Sequence, residues 1–264
     1  MDREYASRIE PGLRVIVTAG AAGIGRVIVE ALHTCGAHIH VCDVDADAVA
    51  DLNSALPEVG TTIADVADAS QVDQFFAEAE VHLGGLDVLI NNAGVAWGAP
   101  LDEFPEVGWD KVMNTNVKGP FFLTQRLLPH LEAATSFEEP TRVINVGSVD
   151  GIKTPIFNNF SYGPSKAAIH HLTRVLAAHL IKRNIIVNGI APGPFPTWML
   201  STGVGDGDPE NTDWDAVGRN NPRGRVGRAE DIAGLAIFLA SKASGFTIGD
   251  VITCDGGESG YRVR

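Results

Sequence analysis

The chain has 264 residues, 45% of them apolar and 20% charged, with a formal net charge of −13. That length fits one core of ordinary enzyme size, and the composition excludes a disordered or fibrous chain. The acidic balance, with no Lys/Arg-dense stretch to offset it, excludes nucleic acid and anionic lipid surfaces as partners.

In chain order, short β-branched runs alternate with stretches of helical apolar spacing. We expect strand 14–18, helix 24–35, strand 38–43, helix 46–56, strand 61–64, helix 69–83 and strand 87–91. Helices then cross 106–134, interrupted near Asn114 to Gly119, followed by strand 141–147, helix 161–182, strand 185–190, helix 229–240 and strand 250–254. Such alternation predicts an α/β fold, a doubly wound parallel sheet of Rossmann type with helices on both faces. No repeat or low-complexity linker divides the chain, so one domain is expected over 1–264. The stretch 195–225 is rich in Gly, Pro, Asp and Asn and long for a connector, which points to a substrate lid.

The first strand runs into Thr18-Ala19-Gly20-Ala21-Ala22-Gly23-Ile24-Gly25 and then a helix. Glycines there let the backbone approach a pyrophosphate, which the helix N-terminus favours, although such a turn is by itself compatible with a purely structural role. Asp43 ends the second strand, where a carboxylate can bind the 2′-OH of an adenosine ribose and would repel a 2′-phosphate. The pair favours NAD(H) over NADP(H).

Tyr162-Gly163-Pro164-Ser165-Lys166 opens a helix, with Tyr162 and Lys166 on one face. An ammonium beside a phenol favours the phenolate, so Tyr162 is the expected proton-transfer residue. Ser148 follows a strand at the carboxyl edge, where its hydroxyl can hold a substrate oxygen. A surface Tyr/Lys pair and a turn Ser are the plain alternatives. Asn91-Asn92-Ala93-Gly94 follows another strand, and Asn116 sits where helix geometry is interrupted, as a water-chain support or a polar cap. Trp97, Phe157, Phe160, Phe195, Trp198 and Met199 are either pocket-lining or packing residues.

Cys35, Cys42 and Cys254 are scattered, with no Cys-x-x-Cys pair, so reduced thiols are expected and no metal site. Met1 to Tyr5 carries acids and no apolar signal stretch, and no apolar run approaches the roughly 20 residues that span a bilayer. A cytoplasmic protein without a membrane segment is expected.

These residues, in this order and over nearly the whole chain, resemble the short-chain dehydrogenase/reductase superfamily, and Trp97-Gly98-Ala99, Gly108-Trp109-Asp110-Lys111-Val112-Met113, Tyr162-Gly163-Pro164-Ser165-Lys166-Ala167-Ala168 and Pro192-Gly193-Pro194-Phe195-Pro196 resemble its β-ketoacyl reductase-like members, including the rhamnolipid-synthesis type. The resemblance implies an NAD(P)-dependent oxidoreductase interconverting a secondary alcohol and a ketone, with Asn116, Ser148, Tyr162 and Lys166 as catalytic tetrad. It places Gly20, Gly23, Ile24, Gly25 and Asp43 at the cofactor, Asp65 and Val66 near adenine, and Asn92, Ala93 and Gly94 by the ribose. Tyr162 and Lys166 also border the cofactor, and Pro192, Gly193 and Thr197 lie at the nicotinamide carboxamide. A homotetramer or homodimer is implied, with a small alcohol or ketone as substrate. A 3-oxoacyl thioester reductase using NADPH and a non-catalytic dinucleotide sensor are the alternatives.

Three departures stand out. Ala19 replaces a usual glycine, which is tolerable at negative φ. Ala22 and Asp43 stand where NADPH-using members carry basic residues. Thirteen residues separate Ser148 from Tyr162, one more than the common spacing, so that loop is expected to bulge.

Overall fold

The computed structural model describes residues 9–154, 157–204 and 207–260. Seven strands form one sheet: β1 Arg14–Thr18, β2 His38–Asp43, β3 Gly60–Ile63, β4 Val88–Asn91, β5 Thr141–Val146, β6 Ile185–Pro192 and β7 Val251–Cys254. All pairings are parallel, in the order β3-β2-β1-β4-β5-β6-β7. The order reverses between β1 and β4, which opens a crevice at their carboxyl ends.

Successive side chains of a buried strand feed opposite layers. Val15 and Val17 of β1 and Val88 and Ile90 of β4 pack with Ile28, Val29 and Leu32 of α1 (Gly23–Thr34) and Ile232, Ala236 and Leu239 of α9 (Ala229–Ala240). Ile16 and Leu89 point the other way. They join Phe75 and Ala79 of α3 (Ala69–Leu83), Leu123, Leu127 and Leu131 of α5 (Gly119–Ala134), and Ala177 and Leu180 of α6 (Tyr162–Leu180). The expected doubly wound architecture is present.

Helix starts differ in a way that matters for the site. Asp45 caps α2 (Ala46–Ala55) and Asp68 caps α3, each accepting two first-turn N–H groups. At α1 the capping position is Ala22, with no side-chain cap and no acid in the first turn.

The interruption expected near Asn114 is a π turn, Asn114–Lys118, between α4 (Glu106–Met113) and α5. The stretch 195–225 is less irregular than expected. It holds α7 (Trp198–Val204) and α8 (Trp214–Arg219), two helices too short to show an apolar period, with residues 205–206 outside those described. The acidic start at Met1 to Tyr5 also lies outside the described residues. Among the described residues, no helix is long and apolar enough to cross a membrane and no cluster of side chains has metal-binding geometry.

Candidate active site

The carboxyl ends of β1, β2, β4, β5 and β6 bring the glycine turn, Asp43, Asn92 to Gly94, Ser148 and Pro192 to one edge of the sheet. The glycine turn is tied to the β4 loop from below. Thr18 Oγ1 accepts the Asn92 and Ala93 N–H groups at 3.0 and 2.9 Å, and Asn92 Nδ2 donates to the Thr18 and Ala19 carbonyls at 3.1 and 2.8 Å. A Cβ on Gly25 would lie 2.1 Å from the Ala19 carbonyl oxygen, and one on Gly20 would meet Val41 at 2.9 Å, so both positions need glycine. Gly23 has φ +54°, and Ile24 packs against the adjoining core.

Ala19 corrects the sequence expectation: its φ is +49°, not negative. Its N–H donates to Cys42 O at 2.7 Å, and its carbonyl accepts from Asn92, so its neighbours impose a left-handed conformation. For a residue with a Cβ, that costs about 1 kcal/mol or more.

Asp43 is buried, and its carboxylate accepts the Ala21 N–H at 3.0 Å and the Asp45 N–H at 3.2 Å. It thereby joins the end of β2 to the glycine turn. The uncapped first turn of α1, the glycine cradle above it and a carboxylate beside them fit the pyrophosphate and ribose of a dinucleotide. Asp65 closes its own turn by accepting the Ala67 N–H at 2.8 Å, while Val66 is buried against Gly119. Pro192 ends β6, the Gly193 N–H donates to Cys254 O at 3.0 Å, and Thr197 stands over Gly23, its Cγ2 3.5 Å from where a Cβ would be.

At the candidate catalytic end, Tyr162 is partly exposed and stands near Ser148 and Asp150. Burial pushes its pKa up to about 12; the neighbouring Ser148 hydroxyl acts against this and the charge of Asp150 adds to it. The direction is opposite to the one expected from Lys166 alone, because desolvation of a phenolate outweighs the other influences here. Lys166 is buried, donates to Val146 O at 3.0 Å and lies 5.5 Å from the Tyr162 ring centroid. Desolvation lowers its pKa to about 8.

The π turn aims Asn116 at the β4 loop. Its Oδ1 accepts the Val95 N–H at 2.8 Å, and its Nδ2 donates to Val95 O and Ser165 Oγ, both at 2.9 Å. A Cβ on Gly94 would sit 3.1 Å from Lys166 Nζ and 3.6 Å from Asn116 Oδ1, so all four tetrad positions converge on one cleft.

Three residues escape sequence reasoning. Thr18 reads as strand end yet anchors two loops. His170, one turn beyond Lys166, accepts the Ser148 N–H on Nε2 at 3.3 Å, and a Cβ on Gly147 would lie 2.0 Å from that nitrogen. Burial holds the His170 pKa down at about 4, assisted by Lys166 and Arg174. Asp150 lies in the 3₁₀ turn Val149–Gly151 after Ser148, where a turn acid carries no pattern of its own.

Among the aromatics, Phe195 is buried against Gly227, Trp97 packs on Gly108, and Phe104 and Phe160 meet edge to face at 5.8 Å. Phe157 approaches Gly203 of α7, whereas Trp198 is exposed. The loop from Ser148 to Tyr162 folds outward to the Trp97 segment, the Ala99 N–H donating to Asn158 O at 3.0 Å; its residues 155–156 lie outside those described.

Known proteins give this geometry a lineage. A family model described as enoyl-(acyl carrier protein) reductase matches residues 19–259. The rhamnolipids biosynthesis 3-oxoacyl-[acyl-carrier-protein] reductase of Pseudomonas aeruginosa is 44% identical over 249 residues, covering 93% of this chain and 96% of that protein. The gluconate 5-dehydrogenase of Gluconobacter oxydans is 34% identical, covering 93% and 94%. Among solved structures, a Pseudomonas aeruginosa RhlG/NADP active-site complex superposes with a TM-score of 0.87 at 40% identity, covering 96% of this chain and 98% of that one. A gluconate 5-dehydrogenase from Burkholderia cenocepacia, in complex with NADP and tartrate, gives 0.85 at 31% identity, covering 97% and 98%. With these matches over nearly its whole length, the chain belongs to the short-chain dehydrogenase/reductase family of nicotinamide-dependent oxidoreductases.

Proposed function

We propose that the protein is an NAD(H)-preferring dehydrogenase that interconverts a secondary alcohol and a ketone, with Ser148, Tyr162, Lys166 and Asn116 as its working set. The observation that carries this reading is the buried Lys166 ammonium, 5.5 Å from the Tyr162 ring and facing Gly94 together with Asn116, with Ser148 beside the phenol. A bound nicotinamide supplies the hydride acceptor for oxidation and the hydride donor for reduction.

Ser148 Oγ holds the reacting oxygen beside the phenol. In the reducing direction Tyr162, protonated at neutral pH as a phenol ordinarily is, donates its proton to the forming alkoxide. In the oxidising direction the phenolate takes the carbinol proton, and the Lys166 ammonium favours that form by charge. Lys166 spends one donor on Val146 O, leaving the others for the ribose hydroxyls. Asn116 fixes Val95 relative to Ser165, and through its π turn supports a water path for the exchanged proton. The segment 195–225 serves as the lid over this cleft, Thr197 closing on the glycine turn.

The preference for NAD(H) rests on Asp43, whose carboxylate ends β2 beside the glycine turn, where it would repel a 2′-phosphate. The NADP named in the two structural relatives, and the acyl-carrier substrate named for the Pseudomonas aeruginosa protein, favour thioester reduction with NADPH as the second reading.

A screen of secondary alcohols and ketones, with NAD and NADP side by side, tests both halves. Tyr162→Phe is expected to lower turnover by about 10² to 10⁴-fold with NADH binding retained. Undiminished turnover would remove Tyr162 from its role. The wild type is expected to favour NAD by at least about tenfold, since like charges facing a phosphate cost several kcal/mol. A faster rate with NADP on 3-oxoacyl thioesters would establish the second reading.

A further inference from the structure

Thirteen residues separate Ser148 from Tyr162 and fold outward toward the Trp97 segment, so the connecting chain does not set the separation of the two side chains. The exit of β5 is gripped from α6 instead. Lys166 Nζ donates to Val146 O at 3.0 Å, and four residues further along the helix His170 Nε2 accepts the Ser148 N–H at 3.3 Å. Between them the Gly147 N–H donates to Ile190 O of β6 at 2.7 Å. Tyr162, Lys166 and His170 follow one another at spacings of four and so share one face of α6. A third contact is steric: a Cβ on Gly151 would lie 2.6 Å from the Lys166 carbonyl carbon, so the turn Val149–Gly151 rests on the same stretch of helix.

The imidazole of His170 is buried and fills the space beside the strand. A Cβ on Gly147 would lie 2.0 Å from its Nε2 and 2.5 Å from its Cδ2, so the ring reaches the Ser148 N–H because residue 147 is glycine. A backbone N–H only donates, which requires Nε2 to be unprotonated and the ring proton to sit on Nδ1. Burial, assisted by the charges of Lys166 and Arg174, keeps the ring in that neutral form. With Nε2 committed to the backbone, His170 acts on the chemistry only through Ser148.

We propose that His170 is a positioning residue that fixes Ser148 relative to Tyr162 by referring both to one face of α6, with Lys166 and His170 taking alternate backbone groups at the exit of β5. The inference rests on Ser148 and Tyr162 being the reacting pair. One neutral hydrogen bond contributes modestly to stability, whereas a reacting group displaced by about 1 Å loses about 100-fold in rate. The role of His170 therefore belongs to turnover more than to folding.

The test compares wild type with His170→Leu, His170→Gln, His170→Asn and Tyr162→Phe, with melting temperatures as folding controls. Glutamine can place an amide oxygen where Nε2 stands, and asparagine, equally polar, falls one bond short. Two readouts are taken, the reduction of ethyl 3-oxobutanoate by NADH and the deuterium uptake of the peptide from Val146 to Gly151. His170→Leu and His170→Asn are expected to lower kcat by about 10 to 100-fold with KM for NADH unchanged, and to speed exchange of the Ser148 amide. His170→Gln should restore both toward wild type. Undiminished kcat in folded His170→Leu, or equal rescue by asparagine and glutamine, would overturn the positioning role and leave the acid/base reading standing. Unchanged deuterium uptake in His170→Leu would overturn it as well, whether or not the probe is reduced. Turnover by Tyr162→Phe would instead remove the reading on which the inference rests, while the exchange readout still reports the grip on Ser148.

Discussion

The two edges of the sheet solve opposite problems. At the amino edge Asp87 receives three hydrogen bonds from Arg14, from its backbone N–H, Nε and Nη2 at 2.8, 2.9 and 2.7 Å, which clamp the starts of β1 and β4 together. At the carboxyl edge Ala19 is held at positive φ, and burial shifts Tyr162 and Lys166 toward their neutral forms. The amino edge is not wholly satisfied: Arg142 Nη1 donates to Pro140 O but its Nε and Nη2 are buried without partners, as are His40 and His82 Nδ1 beside the start of β3. The contrast teaches that one continuous element is secured at one end and held away from its own optimum at the other, where a ligand is to act.

Removing the clamp should break the comparison most visibly. Asp87→Ala is expected to destabilise the fold by about 2 kcal/mol, the scale of hydrogen bonds to a charged group, read as a lower denaturant midpoint. Because the clamp is far from the cleft, turnover per folded molecule should stay at the wild-type level, and a comparable loss of turnover would mean that the edges are coupled.

Acid should sharpen it. His170 titrates at about 4 in the fold against 6.5 for the unfolded group, so the unfolded chain binds more protons in that window. Its contribution is complete above about pH 6.5 and is lost as pH falls through about 4. Melting temperature against pH should decline less steeply across that window in His170→Gln. Parallel curves would show that this imidazole plays no part in the acid sensitivity of the site.

The smallest effect concerns Ala19. Ala19→Gly should raise stability by about 1 kcal/mol by relieving a left-handed alanine, less what glycine's looser unfolded chain takes back. A destabilised variant would show that the alanine methyl packs well enough to outweigh its backbone cost.

The strands and most helices were legible because their determinants are local: β-branched runs such as Val15 to Val17 and Ile185 to Val187, and Asp at the starts of α2 and α3. The candidate catalytic positions were legible because their spacing along strand ends and one helix face survives folding unchanged. What escaped was set at long range. The φ of Ala19 is imposed by Asn92, 73 residues on. The upward shift of Tyr162 depends on how much protein surrounds it, which no spacing records. The helices α7 and α8 are capped by local hydrogen bonds, Thr197 Oγ1 accepting from Leu200 N and Asp213 from Ala216 N, in a stretch whose composition reads as loop.

The π turn at Asn114–Lys118 has one further consequence, for how such a site arises and is lost. A single π turn accommodates one residue more than the α-helical turn it replaces, so the helices flanking it keep the phase of an unbroken rod. A chain shortened by one residue here would heal into continuous α-helix with Leu123, Leu127 and Leu131 still facing the core. The sideways step that carries Asn116 to Val95 would vanish with the extra residue. Along this stretch the helical frame and the placement of Asn116 are set by separate features of the sequence.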